Sequence, residues 1–315
     1  MKLNVLKQAS LPDALTAELA RRYHLVELTA LTDADFRALA GTFTVLITNG
    51  EATVTRELIA SLPALELIAV FGVGYDGVDV QAAAEHQVRV SHTPGVLTDD
   101  VADLALGLML ATSRQIVAAH KFIEAGEWAA GGFPWTQKVS GSQVGIVGMG
   151  RIGQAIARRC EGFAMQIAYH DRKRLPALNY AWREDLLTLA AESDFLVICT
   201  PGTAANQGLI NQPVLAALGE KGILINISRG SVIDEPALVA ALESGIIAGA
   251  GLDVFSHEPA VPAGLLQRSN VVVTPHMASA TWSTRAAMAQ LVLDNVACWA
   301  EKKALVTPVA ESLTD

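Results

Sequence analysis

Cysteine, basic residues and long apolar runs are all scarce in this chain. Only three cysteines occur in 315 residues, Cys160, Cys199 and Cys298. They are widely spaced and in no metal-ligand pattern, which excludes a disulfide scaffold and a thiolate metal centre. They read as small buried hydrophobes in a reducing compartment. Lys and Arg number 23 against 32 Asp and Glu, a formal net charge of −9. Nucleic-acid binding needs clustered cations, so no nucleic-acid partner is expected. No stretch reaches the ~18 uninterrupted apolar residues of a membrane span. The apolar run Val101–Thr112 carries Asp103 and reads as a buried helix, and the opening run Met1–Lys7 is too short for a signal peptide core. A cytoplasmic protein without a membrane partner is the expectation.

What the chain has is apolar residues, 51% of the total, enough for a large core, and a length that suggests about two domains. Short apolar runs alternate with amphipathic segments, the pattern of parallel sheets with crossover helices, so the fold class is α/β. In the N-terminal third the strand candidates are Asn4–Leu6, Leu25–Leu28, Val45–Thr48, Leu67–Val70 and Val88–Ser91. Helical patterns at Thr16–Arg22, Thr55–Ala60 and Val80–His86 lie between them. A long helix is expected from Thr98 to about Ala125, with Thr98 as its N-cap and Asp99 and Asp100 in the first turn, where the helix dipole favours acids. A second series follows: Val144–Val147, Ile167–Tyr169, Phe195–Cys199, Gly222–Ile227, Ala248–Val254 and Val271–Thr274. A last helix runs from Thr284 to about Trp299 and is expected to return to the first unit. The expected architecture is two doubly wound parallel-sheet domains. Residues 98–285 form a Rossmann cofactor domain, inserted into a flavodoxin-like substrate domain made of 1–97 and 286–315.

The second series opens on Gly148-Met149-Gly150-Arg151-Ile152-Gly153. Such a turn is weak evidence alone, but here a buried strand precedes it and a helix pattern follows. Gly148 permits the tight turn, Gly150 lets a pyrophosphate approach the backbone, and Gly153 lets helix and strand pack closely. The helix start then offers N–H groups to a diphosphate. At the tip of the next strand Asp171 stands at about the spacing of the acid that binds an NAD ribose. Three cations follow it, Arg172, Lys173 and Arg174, suited to a 2′-phosphate. The reading favours NADP, with Arg172 as the main contact, and leaves NAD open.

Three further signatures follow: Asn226-Ile227-Ser228-Arg229-Gly230, His257-Glu258-Pro259 and Thr274-Pro275-His276. A cation, a carboxylate and an imidazole, each at the end of a predicted strand, supply an anion anchor and a proton donor tuned by an acid. With Val73-Gly74-Tyr75-Asp76, the run Thr93–Asp103, Gly251–Phe255 and Thr274–Thr281, these segments resemble the D-isomer-specific 2-hydroxyacid dehydrogenase family over nearly the whole length. The resemblance is closest to its hydroxyphenylpyruvate reductase and glyoxylate/hydroxypyruvate reductase branch.

That resemblance implies roles. Arg229 would hold the substrate carboxylate and keto oxygen, as its planar guanidinium suits. The backbone N–H groups of Val73 and Gly74 would clamp the same carboxylate. His276 would be the general acid, with Glu258 orienting its ring. Asp253 would meet the nicotinamide carboxamide. Thr98, Arg151, Ile152 and Ile227 would complete the cofactor contacts. The implied activity is reduction of a small 2-keto acid of the glyoxylate or hydroxypyruvate type to the D-2-hydroxy acid. Reductases of bulkier keto acids, such as hydroxyphenylpyruvate or 2-ketogluconate, remain open, as does a nucleotide-sensing module. A homodimer is expected through the helix from Thr98 and the loop Trp128–Trp135.

Overall fold

The structure is a computed structural model and describes residues 2–266 and 268–313. The chain divides into two compact units: one runs to Leu97 and resumes at Ala280, the other is Thr98–Ser279. The return falls at Ala280, just ahead of the last helix, whereas the sequence reading placed it at 286.

In the first unit the strands are β1 (Asn4–Lys7), β2 (His24–Glu27), β3 (Val45–Asn49), β4 (Leu67–Phe71) and β5 (Arg89–Ser91). The helices are α1 (Asp13–Arg22), α2 (Asp33–Leu39), α3 (Arg56–Ala60) and α4 (Val80–Glu85). The reading had no counterpart for α2. Its start is nonetheless written locally, because Thr32 caps it by accepting the Asp35 N–H at 3.2 Å. The sheet is parallel throughout, in the order β2-β1-β3-β4-β5, which is the flavodoxin-like order. All five residues of β4 are buried, as expected of a central parallel strand covered on both faces.

The second unit holds β6 (Gln143–Val147), β7 (Gln166–His170), β8 (Ala181–Trp182), β9 (Phe195–Ile198), β10 (Ile223–Asn226), β11 (Gly249–Leu252) and β12 (Val271–Val273). Its helices are α5 (Thr98–Ser113), α6 (Ile116–Glu124), α7 (Arg151–Glu161), α8 (Leu186–Ala191), α9 (Gln212–Leu218), α10 (Glu235–Glu243) and α11 (Ala263–Leu266). The strand order is β12-β11-β10-β9-β6-β7-β8, all parallel. Counted within the unit this is the Rossmann order, and it reverses between β6 and β9. The short edge strand β8 was not anticipated; two residues carry no period that a sequence can display. The last helix, α12 (Trp282–Ala300), packs on β4 of the first unit.

The helix expected from Thr98 to Ala125 is two helices, bent by 54°. Gln137 N–H donates to the Ser113 carbonyl at 3.2 Å, and the Ser113 hydroxyl donates to the Gln137 carbonyl at 2.7 Å. The Ser113 carbonyl is therefore engaged outside the helical ladder, and Gln115 takes a left-handed conformation with φ 50°. Thr98 is the first residue of α5 rather than the residue preceding it. No single described helix is long and apolar enough to cross a membrane. Of the cysteines, Cys160 is fully buried and burial pushes its thiol up to about 12, so it packs rather than reacts. Cys199 and Cys298 are only partly buried, where the sequence reading expected buried residues.

Candidate active site

In an open α/β sheet, ligands gather beyond the carboxyl ends of the strands, at the point where the strand order reverses. In the second unit that point lies between β6 and β9, and the glycine turn follows β6 directly. Gly148 has φ +94°, and a Cβ there would stand 2.8 Å from the Thr200 N, so the turn must pass close under the chain leaving β9. Gly153 presses on the same turn: its Cβ would meet the Gly148 carbonyl oxygen at 2.2 Å. Gly150 differs. It is the N-cap of α7, and a Cβ there would meet nothing within 4 Å. The backbone at the head of α7 is thus bare, with first-turn N–H groups directed out of the helix end. A diphosphate fits this cradle.

Asp171 follows β7. Its carboxylate accepts the Met149 N–H at 2.9 Å and the Arg172 N–H at 2.7 Å. It therefore ties the glycine turn to the basic turn, an engagement spacing alone did not reveal. Arg172, Lys173 and Arg174 are exposed. Thr98 heads α5, which packs along α7. Arg159 of α7 holds that helix by donating to Asp103 at 2.6 Å and Asp99 at 3.1 Å. Ile227 stands just beyond β10 and is buried.

The turn after β10 presents Arg229. Buried Asn226 shapes it, accepting the N–H and hydroxyl of Ser228 at 3.0 and 2.9 Å and donating to the Arg229 carbonyl at 3.0 Å. Arg229 also donates to the Ser228 carbonyl at 2.8 Å. A Cβ on Gly230 would lie 1.9 Å from the Phe255 carbonyl carbon, so glycine brings this turn hard against the segment leading to Glu258. Gly202 makes room for the arginine stem, since its Cβ would meet the Arg229 Cγ at 2.6 Å.

His276 lies beyond β12 with φ +48°, a left-handed conformation unfavourable for a residue with a Cβ. A clasp imposes it. The His276 N–H donates to the carbonyls of Asp253 and Thr274 at 2.8 and 3.1 Å. The Asp253 carboxylate accepts the Thr274 hydroxyl at 2.6 Å and the N–H groups of Met277 and Ala278, each at 2.9 Å. Asp253 is 0% exposed. Burial pushes its carboxyl upward, opposed by these hydrogen bonds and the nearby His276. The side chain expected at the nicotinamide carboxamide is thus turned inward, to hold the histidine turn. Thr274 is part of that clasp, a role that its place in the motif Thr274-Pro275-His276 does not reveal.

The ring of His276 meets Glu258 with Nδ1 to Oε2 at 2.7 Å, and the other carboxylate oxygen accepts the Phe255 N–H at 2.8 Å. Burial opposes ionisation of Glu258. The hydrogen bonds from His276 and Phe255, with the charges of His276 and Arg229, outweigh it and hold the carboxyl below its ordinary value. A carboxylate therefore faces the imidazole, fixing its orientation and favouring its charged form. In the first unit, Val73 and Gly74 follow the carboxyl end of β4.

The description "D-isomer specific 2-hydroxyacid dehydrogenase, NAD binding domain" belongs to the family model that matches residues 106–278. The hydroxyphenylpyruvate reductase of Plectranthus scutellarioides is 45% identical over 309 residues, spanning 98% of this chain and 99% of that protein. The chain belongs to the D-isomer specific 2-hydroxyacid dehydrogenase family. A glyoxylate/hydroxypyruvate reductase of Arabidopsis thaliana is 40% identical across 98% of this chain and 99% of its own length. Among solved structures, an NADPH-dependent glyoxylate/hydroxypyruvate reductase from Sinorhizobium meliloti, in complex with NADP and malonate, superimposes with a TM-score of 0.93. It is 42% identical and is matched over 99% of this chain and 98% of that one. This dehydrogenase therefore carries its family's two α/β units, and its Arg229, Glu258 and His276 stand beyond β10, β11 and β12 of one sheet.

Proposed function

We propose that the protein reduces a small 2-keto acid, of the glyoxylate or hydroxypyruvate class, to the D-2-hydroxy acid with NADPH. The observation that carries this reading is the 2.7 Å contact of a carboxylate with His276, beyond the carboxyl ends of the same sheet whose strand β10 leads to Arg229. Bound NADPH would supply the hydride. Arg229 binds the substrate carboxylate and polarises the keto oxygen. The N–H groups of Val73 and Gly74 are assigned to binding a substrate carboxylate. His276, engaged by Glu258 through Nδ1, gives the proton on Nε2 to the oxygen as negative charge grows there. In the oxidative direction neutral His276 takes that proton back.

Gly148, Gly150, Arg151, Ile152 and Gly153 bind the diphosphate, with Thr98 and Ile227 as further cofactor contacts. The preference for NADPH is supported at the second turn. Asp171 is already engaged by two backbone N–H groups, while three cations beside it stand exposed. Glyoxylate and hydroxypyruvate reductases among the relatives support the small-acid class. The working form is a homodimer. Helix α6 leaves Ile116, Val117 and Ile123 exposed, and Trp135 beyond it is 101% exposed, an apolar surface that a second copy would cover.

The test is NADPH and NADH oxidation against glyoxylate, hydroxypyruvate, 2-ketogluconate, phenylpyruvate and 4-hydroxyphenylpyruvate. Rapid NADPH-linked turnover of the first two is expected. A strong preference for the aryl acids would overturn the substrate class, and silence with every acid would overturn the activity.

A further inference from the structure

Beyond β4 the chain turns through Gly72-Val73-Gly74-Tyr75, and the segment leaving β5 fastens this turn by its carbonyls. The Thr93 N–H donates to the Gly72 carbonyl at 2.8 Å, and Nδ1 of His92 lies 2.9 Å from the next carbonyl, that of Val73. A carbonyl can only accept, so the proton of this contact is on Nδ1. The ring also meets Tyr75 edge-on, with centroids 5.2 Å apart and planes at 86°. His92 is itself held from behind. Its N–H donates to the Thr307 carbonyl at 3.2 Å, and its carbonyl accepts the Thr307 hydroxyl at 2.6 Å. Thr307 is in turn fixed by Asn295 of α12, buried to 1% exposure, through contacts of 2.8 and 3.1 Å. A polar chain therefore runs from α12 through Thr307 and His92 to the Val73 carbonyl. The N–H groups of Val73 and Gly74, by contrast, make no hydrogen bond among the described residues.

We infer that His92 is a positioning residue for the substrate-carboxylate clamp. By holding the Val73 carbonyl it sets the plane of the Val73–Gly74 peptide, and so the direction in which the Gly74 N–H meets an anion. A peptide is rigid, so fixing its oxygen fixes its N–H. This inference rests on the assignment of Val73 and Gly74 to the substrate carboxylate in the preceding subsection. His92 touches neither substrate nor cofactor in this role.

The experiment compares full-length His92→Leu, His92→Asn and His92→Gln with the parent. Three quantities are measured: steady-state kinetics with glyoxylate and NADPH, NADPH affinity, and malonate affinity in the presence of NADP. Leucine keeps the bulk without a donor. The asparagine amide nitrogen stands the same number of bonds from Cβ as Nδ1, and the glutamine nitrogen stands one further. One lost neutral hydrogen bond predicts that His92→Leu raises the glyoxylate KM and the malonate Kd by roughly 3- to 10-fold. kcat and NADPH affinity should change by less than about twofold, within the scatter of a distant substitution. His92→Asn restores both values and His92→Gln does not. Unchanged KM and malonate Kd in His92→Leu overturn the inference. So does a loss of NADPH affinity in step with KM that asparagine fails to rescue. If the parent reduces no keto acid, the activity itself is wrong, and the malonate titrations then decide the role of His92 alone.

Discussion

Replacing Gly230 by alanine should disable the enzyme without touching a catalytic atom. The added Cβ would stand 1.9 Å from the Phe255 carbonyl carbon, 2.2 Å from the Ser256 N and 2.3 Å from the Phe255 oxygen. Unbonded carbons rest at about 3.5–4.0 Å, so the two backbones must separate by roughly 1.5–2 Å. No flexible side chain is available to yield, because all three atoms belong to the main chain. One segment carries Arg229 next to Gly230, and the other leads to Glu258. A misplacement of about 1 Å in such a constellation costs on the order of 10²-fold in rate. Gly230→Ala should therefore lose at least about 100-fold in kcat/KM for glyoxylate. Overpacking of this kind also costs about 1–3 kcal/mol, a fall in Tm of several degrees for a unit of this size. The assay is steady-state reduction of glyoxylate, with NADPH binding followed by fluorescence. NADPH affinity should stay near the parent's, since the glycine turn after β6 is untouched. A variant within threefold of the parent in kcat/KM would refute the reasoning that this close approach sets the position of Arg229.

The same logic inverts at Gly150→Ala. Its Cβ enters open space and φ is −74°, so stability should hold or rise slightly, while NADPH binding weakens by about tenfold or more. Normal binding would dismiss the close approach of a diphosphate there. Glu258→Gln should move the alkaline limb of the reduction pH–rate profile to lower pH, the direction expected when an adjacent opposite charge is lost. The sign follows from Glu258 being held below its ordinary value. It is charged throughout the neutral range, and its stabilising contribution is lost only as pH falls through that lowered value. The alkaline limb thus reports the proton on His276, and an unmoved limb would break the proposed coupling. Arg172→Ala should raise the Km for NADPH about tenfold, at the lower end for a charged hydrogen bond because Lys173 and Arg174 remain. NADH kinetics should barely change, and equal losses with both cofactors would dismiss the phosphate contact. In Asp253→Asn the amide must set N–H groups against one of its three donors, Thr274, Met277 or Ala278. kcat should fall with NADPH affinity nearly intact; intact kcat would show that the His276 turn holds its shape without the clasp.

Most of the sheet framework was legible because parallel strands buried on both faces leave short apolar runs, and each run from β1 to β12 except β8 was visible. The signatures at Arg229, Glu258 and His276 were legible for a related reason. Catalytic side chains at strand ends sit in short turns whose neighbours are constrained, and constraint leaves a pattern: glycine at 230 for close approach, Pro275 before the left-handed His276. The helix break at Ser113–Gln115 left none. It depends on the Ser113 carbonyl accepting the N–H of Gln137, 24 residues further on, and a contact of that range has no local signature.

Asp253 and His92 mark the deeper limit. A buried carboxylate with three donors and a surface acid are the same letter, and only the fold decides which groups converge on it. Residue type at a strand end predicts that a side chain bears on the site, but not whether it faces the reactants or braces the backbone behind them. In this protein both bracing residues act on main-chain geometry: Asp253 on the left-handed His276 turn, His92 on the Val73–Gly74 peptide. Each holds atoms that glycine or strain would otherwise leave loose. The side chains proposed as catalytic are therefore only as well placed as these turns. Substitutions at Gly230, Asp253 and His92 should accordingly separate placement from chemistry, lowering kcat or raising KM while Arg229, Glu258 and His276 all remain.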